Sequence, residues 1–326
     1  MAVRKERKQH LWVRLERRPL LMGLAAVAIS LAAASVMAGF AGFGATADVL
    51  GRVSPIWLAV AIGARLLAYV GYTLAHHRVM SACEESEIEV DTAARVVAFG
   101  AGATSLRGGF SIDARALRGA GATRRQARAH VAALAMFEYA VLAAGAWVCA
   151  VLLIGARHVQ GAVVWPWAIG VPAGVVIATA AYVALSGRVD RRRSTRVRSV
   201  IQGGEILAGQ SHRPARALVA TAGMALYWCA EIGALWAALE AFGVSCSPLV
   251  AIVGFATGYV LTPRGLPLAG AGIAEVLVPL GLSWLGVALP AAVVAVFAAE
   301  LTRLGVSIPF ALLTREEVQE LVETAA

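Results

Sequence analysis

Apolar runs near the length of a membrane crossing follow one another along almost the whole chain, separated by short segments rich in arginine and glycine. A helix needs about 20 apolar residues to cross a hydrocarbon core about 30 Å thick. Such runs predict helices near residues 20–43, 54–76, 131–154, 163–185, 217–239, 248–261, 266–285 and 288–313. Residues 92–110 are also apolar, but Arg95, Gly100, Gly102, Arg107, Gly108 and Gly109 interrupt them. The expected fold is an all-α polytopic bundle of about seven to eight transmembrane helices, with one or two re-entrant segments.

The charges between the runs set the expected topology. Residues 1–19 carry Arg4, Lys5, Arg7, Lys8, Arg14, Arg17 and Arg18. By the positive-inside rule they form a basic cytoplasmic segment. The apolar run that follows is longer than the 7–15 residues of a signal peptide core, so it reads as a first crossing. Arg78 on one side of residues 92–110, and Arg115, Arg118, Arg124, Arg125 and Arg128 on the other, mark both flanks as cytoplasmic. The segment between them is then expected to enter and leave on one side, as a re-entrant hairpin whose irregular backbone needs protein or water around it. Residues 187–216 form the most basic loop, and residues 314–326 a short acidic tail. The membrane domain spans residues 20–313, and no loop reaches the roughly 50 residues that a soluble domain requires.

Composition agrees: 59% of the 326 residues are hydrophobic and 15% charged, with a mean hydropathy of +0.72. The net charge of +9 sits in short clusters. That pattern fits loops facing anionic lipid and not nucleic acid. Cys83, Cys149, Cys229 and Cys246 make no CxxC pair, and the six histidines make no HExxH. No metal or cofactor is therefore expected. His76 and His77 read as interfacial polar residues, because adjacent positions on a helix diverge and chelate poorly.

Charged side chains inside a bilayer are costly and mark function by default. Glu275 is a lone carboxylate preceded by Pro263, Pro267, Gly270 and Gly272. Glu231 lies near the middle of its run and is expected to be buried. Glu138 lies about two turns into its run, near enough to the cytoplasmic side to reach water. Glu240 is expected at the interface. Glu300 and Arg303 are spaced to pair on one helix face.

Two segments resemble the signatures of the lysylphosphatidylglycerol synthase transmembrane region family. The first is GGFSIDARALRGAGATRRQARAHVAALAMFEYAVLA, a glycine-acidic-basic element, a charged loop and a helix with an acidic residue. The second is LPLAGAGIAEVLVPLGLSWLGV, a proline- and glycine-rich turn followed by a helix with one Glu. The resemblance covers roughly residues 54–313. It implies a flippase-like helical domain without the aminoacyl transferase of the bifunctional members. The matching positions are Gly109, Asp113, Arg115 and Glu138, then Pro267, Gly270, Gly272 and Glu275, with Arg303 on the closing helix. Asp113 stands where the family usually has a Glu closer to the glycine.

The resemblance implies a translocase or binder of phospholipid or lipid-linked glycan in a bacterial cytoplasmic membrane, with the N-terminus cytoplasmic. Interrupted segments in two halves of a chain point to a transporter's central site. Arg107, Arg115 and Arg264 can hold a phosphate by bidentate contact, and Glu275 can bind an amine or carry a proton. An ion-coupled small-solute carrier using Glu231 and Glu275 is an alternative. So is a scaffold recruiting a partner through residues 187–216. A membrane-embedded lipid-modifying enzyme is a further reading, but Asp48, Asp91, Asp113 and Asp190 are isolated and no catalytic set is legible.

Overall fold

A computed structural model describes residues 19–81, 89–107, 110–156, 162–186, 195–210, 212–261 and 272–318, and these residues are helical with no strand among them. In chain order the helices are α1 (Pro19–Ala41), α2 (Phe43–Leu50), α3 (Pro55–Met80), α4 (Val90–Arg107), α5 (Phe110–Gly119) and α6 (Arg124–Gly155). They continue with α7 (Val164–Ser186), α8 (Thr195–Gln210), α9 (Pro214–Ala241), α10 (Pro248–Val260), α11 (Ala274–Ser283) and α12 (Leu289–Leu313). Among the described residues five helices, α3, α6, α7, α9 and α12, are long and apolar enough to cross a membrane. The bent α1–α2 pair makes a sixth if taken as one broken span. The chain is an all-α, multi-pass membrane bundle.

The outer surface of the bundle suits hydrocarbon. Phe40, Ile56, Val176, Ile177, Val183 and Leu218 all point outward, and α7 buries only 6% of its apolar window inside the protein. An apolar face of that extent is solvated by lipid and not by water.

α3 and α9 form the central pair, and glycines let their backbones touch. A Cβ on Gly71 would lie 2.6 Å from Tyr227 N and 2.7 Å from Gly223 O. One on Gly223 would lie 2.9 Å from both Ala75 N and Gly71 O. Ala61, Ala68, Ala75, Ala220, Ala234 and Ala237 fill the rest of the seam with small buried side chains. Apolar attraction between helices is weak in lipid, so close backbone approach and dispersion hold such a seam.

Among the described residues five or six helices are long and apolar enough to cross a membrane. Residues 248–261 read as a crossing and residues 266–285 as a crossing or a re-entrant segment; the helices there, α10 and α11, have 13 and 10 residues and rise only about 20 and 15 Å. They pack on each other through glycine: a Cβ on Gly258 would meet Val278 Cα at 2.6 Å, and one on Gly281 would meet Gly254 O at 2.7 Å. α10 and α11 are thus two short apolar helices packed face to face. Within residues 92–110, Gly100 and Gly102 do not interrupt the helix: α4 runs from Val90 to Arg107, and α5 follows from Phe110.

A sharp turn also divides the first run. α1 and α2 meet at 114°, hinged at Gly42 with φ +93°, a conformation glycine adopts without steric cost. Thr46 closes the new helix, donating its N–H to Gly42 O at 3.0 Å and its hydroxyl at 2.9 Å.

Candidate functional site: buried charges at a broken helix

The start of α11 is built around Glu275. Gly272 takes φ +88°, which turns its N–H toward the first helical turn, where it donates to Glu275 Oε2 at 2.7 Å. Ser30 of α1 donates its hydroxyl to the other oxygen, Oε1. Both side chains are buried, Ser30 at 0% and Glu275 at 2% exposure. The carboxylate thus satisfies orphan donors at a helix N-terminus, where negative charge is favourable. Gly272 is needed twice over. Its backbone conformation excludes most side chains, and a Cβ there would lie 2.9 Å from Ile29 Cγ2 of α1.

Next to this cap lies a set of part-buried ions. On α12, Arg303 Nε donates to Glu300 Oε2 at 2.8 Å and its Nη2 to Glu300 Oε1, a bidentate pair of high directional strength. The expected pairing of these two residues is present. On α3, Arg65 pairs through Nη1 with Glu231 of α9, while its Nη2 donates to Ala299 O of α12 at 3.0 Å. One guanidinium therefore ties three helices together. Glu300 and Arg303 act electrostatically on Glu275, and Arg303 also feels Glu231. Tyr69 of α3 lies among Arg303, Glu231 and Arg65. Among the described residues the cluster holds the carboxylates Glu231, Glu275 and Glu300 and the guanidiniums Arg65 and Arg303, one carboxylate more than guanidiniums.

The first signature region lies elsewhere in the bundle. Asp113 of α5 sits 3.1 Å from His76 Nε2 of α3, and both are buried. His76 is 1% exposed, so it is a buried partner of Asp113. Its neighbour in sequence, His77, diverges as helix geometry requires. Glu138 of α6 is likewise buried and not water-facing: Tyr259 donates its hydroxyl to Oε1 at 3.1 Å, and Trp228 Nε1 donates to Glu138 O at 3.0 Å. Edge and tilted ring contacts connect these two places, running from His76 through Tyr72, Tyr227 and Trp228 to Tyr259.

Of the residues singled out in the sequence, Glu231, Glu275 and Arg303 come together in one charge cluster, and Gly272 caps it. Asp113 and Glu138 belong to the aromatic region, and Arg115 lies half-buried on α5. Arg107 ends α4, with its side chain outside the described residues, as are Gly109, Arg264, Pro267 and Gly270. Three participants were missed. Arg65 carried a signal, a charge inside an apolar run, and so did the buried histidine. Ser30 carried none, since a serine in an alanine-rich helix is ordinary.

Among the described residues no group of three His, Cys, Asp or Glu side chains is arranged to hold a metal ion. The arrangement can hold a proton, an ion or a polar headgroup inside apolar surroundings. A comparison with protein-family models finds no match for the chain, and no curated protein matches it.

Proposed function

We propose that this chain translocates or binds a phospholipid or lipid-linked glycan. In this reading it lies in a bacterial cytoplasmic membrane with its N-terminus on the cytoplasmic side. The observation that carries the reading is buried Glu275 at the start of the short helix α11, with the Arg65–Glu231 and Glu300–Arg303 pairs beside it. A headgroup crossing about 30 Å of hydrocarbon needs polar partners along its way. Broken helices in bundle interiors supply them through helix ends and buried ions.

α1 is the element best suited to open. The only polar side-chain bond that joins it to α11 among the described residues is the one from Ser30 to Glu275. Moving α1 outward bares the surplus carboxylate and the α11 N-terminus toward lipid. The two sequence segments that resemble a flippase-like family support the same reading.

The test is mass spectrometry of lipid retained by the purified full-length protein. Phospholipid or lipid-linked glycan that is retained by the parent and lost in Glu275→Gln is the expected result. The surplus carboxylate also favours a second reading, an ion-coupled solute carrier. Proton flux that depends on a solute, with no lipid retained, would establish that reading and overturn the first.

A further inference from the structure

A second polar site lies well away from Glu275, where α8 packs across the start of α6. The packing is close: a Cβ on Gly203 of α8 would lie 2.8 Å from Ala133 N and 3.1 Å from Ala129 O of α6. Beside this contact a groove of 540 Å³ opens, walled by Arg125, Gln126 and His130 from α6 and by Gln202 and Glu205 from α8. Its volume falls within the range of small-molecule sites, about 300–1,000 Å³.

The groove carries one charge of each sign, and they do not neutralise each other. Arg125 spends its Nε on Gln202 Oε1 at 3.2 Å, which leaves both terminal amino groups of the guanidinium. Glu205 is exposed on the facing helix, with no ion pair to Arg125. His130 is 2% exposed. Its Nδ1 sits 3.0 Å from Gln126 O, and a carbonyl only accepts, so that nitrogen carries the proton. Nε2 is then an acceptor in the neutral ring, and it is buried without a partner.

We infer that this groove binds a zwitterionic phosphoethanolamine group, its phosphate on Arg125 and its ammonium on Glu205. A simple anion is repelled by Glu205, and a simple cation by Arg125. A ligand that carries both a phosphate and an ammonium meets both walls, and guanidinium-phosphate contact is strong and directional. The shared chemistry admits two sources, the headgroup of a membrane phospholipid or a soluble phosphoethanolamine. The inference deepens the lipid reading by naming a headgroup class, but it concerns binding and not movement.

The test titrates full-length protein in micelles with short-chain phosphatidylethanolamine and with phosphatidylglycerol of the same chains. Soluble phosphoethanolamine and inorganic phosphate serve as competitors. The ethanolamine lipid is expected to bind about tenfold tighter. Glu205→Gln should erase that preference while glycerol-lipid binding persists, which also reports that the variant is folded. Arg125→Ala should weaken both lipids. Competition by phosphoethanolamine shows that the headgroup suffices, and competition by lipid alone assigns the site to the membrane; both agree with the inference. Equal affinity for the two lipids, a preference that survives Glu205→Gln, or inorganic phosphate competing as well as phosphoethanolamine overturns it. A protein that discriminates yet moves no lipid keeps the groove and loses the translocase reading. Lipid movement without discrimination does the reverse.

Discussion

Ser30 and Glu275 stand 245 positions apart in the chain, yet the serine hydroxyl donates directly to the carboxylate, and neither side chain is open to solvent. This bond latches the first helix onto the broken one. Replacing Ser30 with Ala leaves a buried carboxylate oxygen short of a donor, at a cost of about 1–3 kcal/mol. The expected outcome is a lower melting temperature for Ser30→Ala in detergent, with Ser30→Thr recovering part of the loss. Unchanged melting in Ser30→Ala would show that the latch contributes nothing.

The α3–α9 seam makes a sharper prediction about packing. Gly71→Ala drives a methyl against the Tyr227 and Gly223 backbone, which cannot yield as a side chain can, and overpacking of this kind costs about 1–3 kcal/mol. Gly63 lies on the same helix with nothing within 4 Å of its would-be Cβ, so Gly63→Ala should be neutral or slightly stabilising. Unfolding of both variants by a denaturing detergent measures the contrast. Equal behaviour would contradict the backbone contact.

Much of this architecture was legible in the apolar runs. α3, α6, α7, α9 and α12 fall close to where their runs predicted them, because runs of about twenty predominantly apolar residues admit little else. The division of residues 248–285 into two runs was legible, but the shortness of the second helix, Ala274–Ser283, was not. Hydropathy reports how apolar a run is but not whether it is straight, and the glycines that permit the α10–α11 contact look like any small residues in a membrane. The site was legible in the same uneven way. Glu300 and Arg303 share a helix face, so spacing alone paired them. Arg65 and Glu231 are 166 positions apart, and a lone charge does not name its partner.

The Arg65–Glu231 pair predicts a coupled response. Losing one partner strands the other charge in the bundle, which typically costs about 3–5 kcal/mol. Glu231→Gln and Arg65→Met should each destabilise strongly. The double variant Arg65→Met/Glu231→Gln should be much less destabilised than the two losses summed, short of the part owed to the bond from Arg65 to Ala299 O. A double-mutant cycle on unfolding free energy measures this coupling. Simple additivity would rule out a direct pair.

In the connection between α9 and α10, burial pushes the Cys246 thiol up to about 11, and nearby Glu240 adds to the rise. Raised thiol values favour the neutral form in the folded protein. The resulting stability is present below the ordinary thiol range and fades as pH rises through the folded value. A variant keeping Cys246 as its single cysteine should therefore react slowly with iodoacetamide at pH 8, with the rate climbing toward pH 11. Reaction at pH 8 as fast as in the unfolded chain would contradict the burial.

The central claim is that Glu275 stands on the route of a lipid headgroup through the bundle. Its most direct measurement is movement of a fluorescent phospholipid between leaflets of proteoliposomes, read by quenching from one side. The parent protein and Gly63→Ala should both move the lipid, while Glu275→Gln, folded and reconstituted to the same density, should lose most of that activity. Equal rates for Glu275→Gln and the parent, or no movement above protein-free vesicles, would contradict the account.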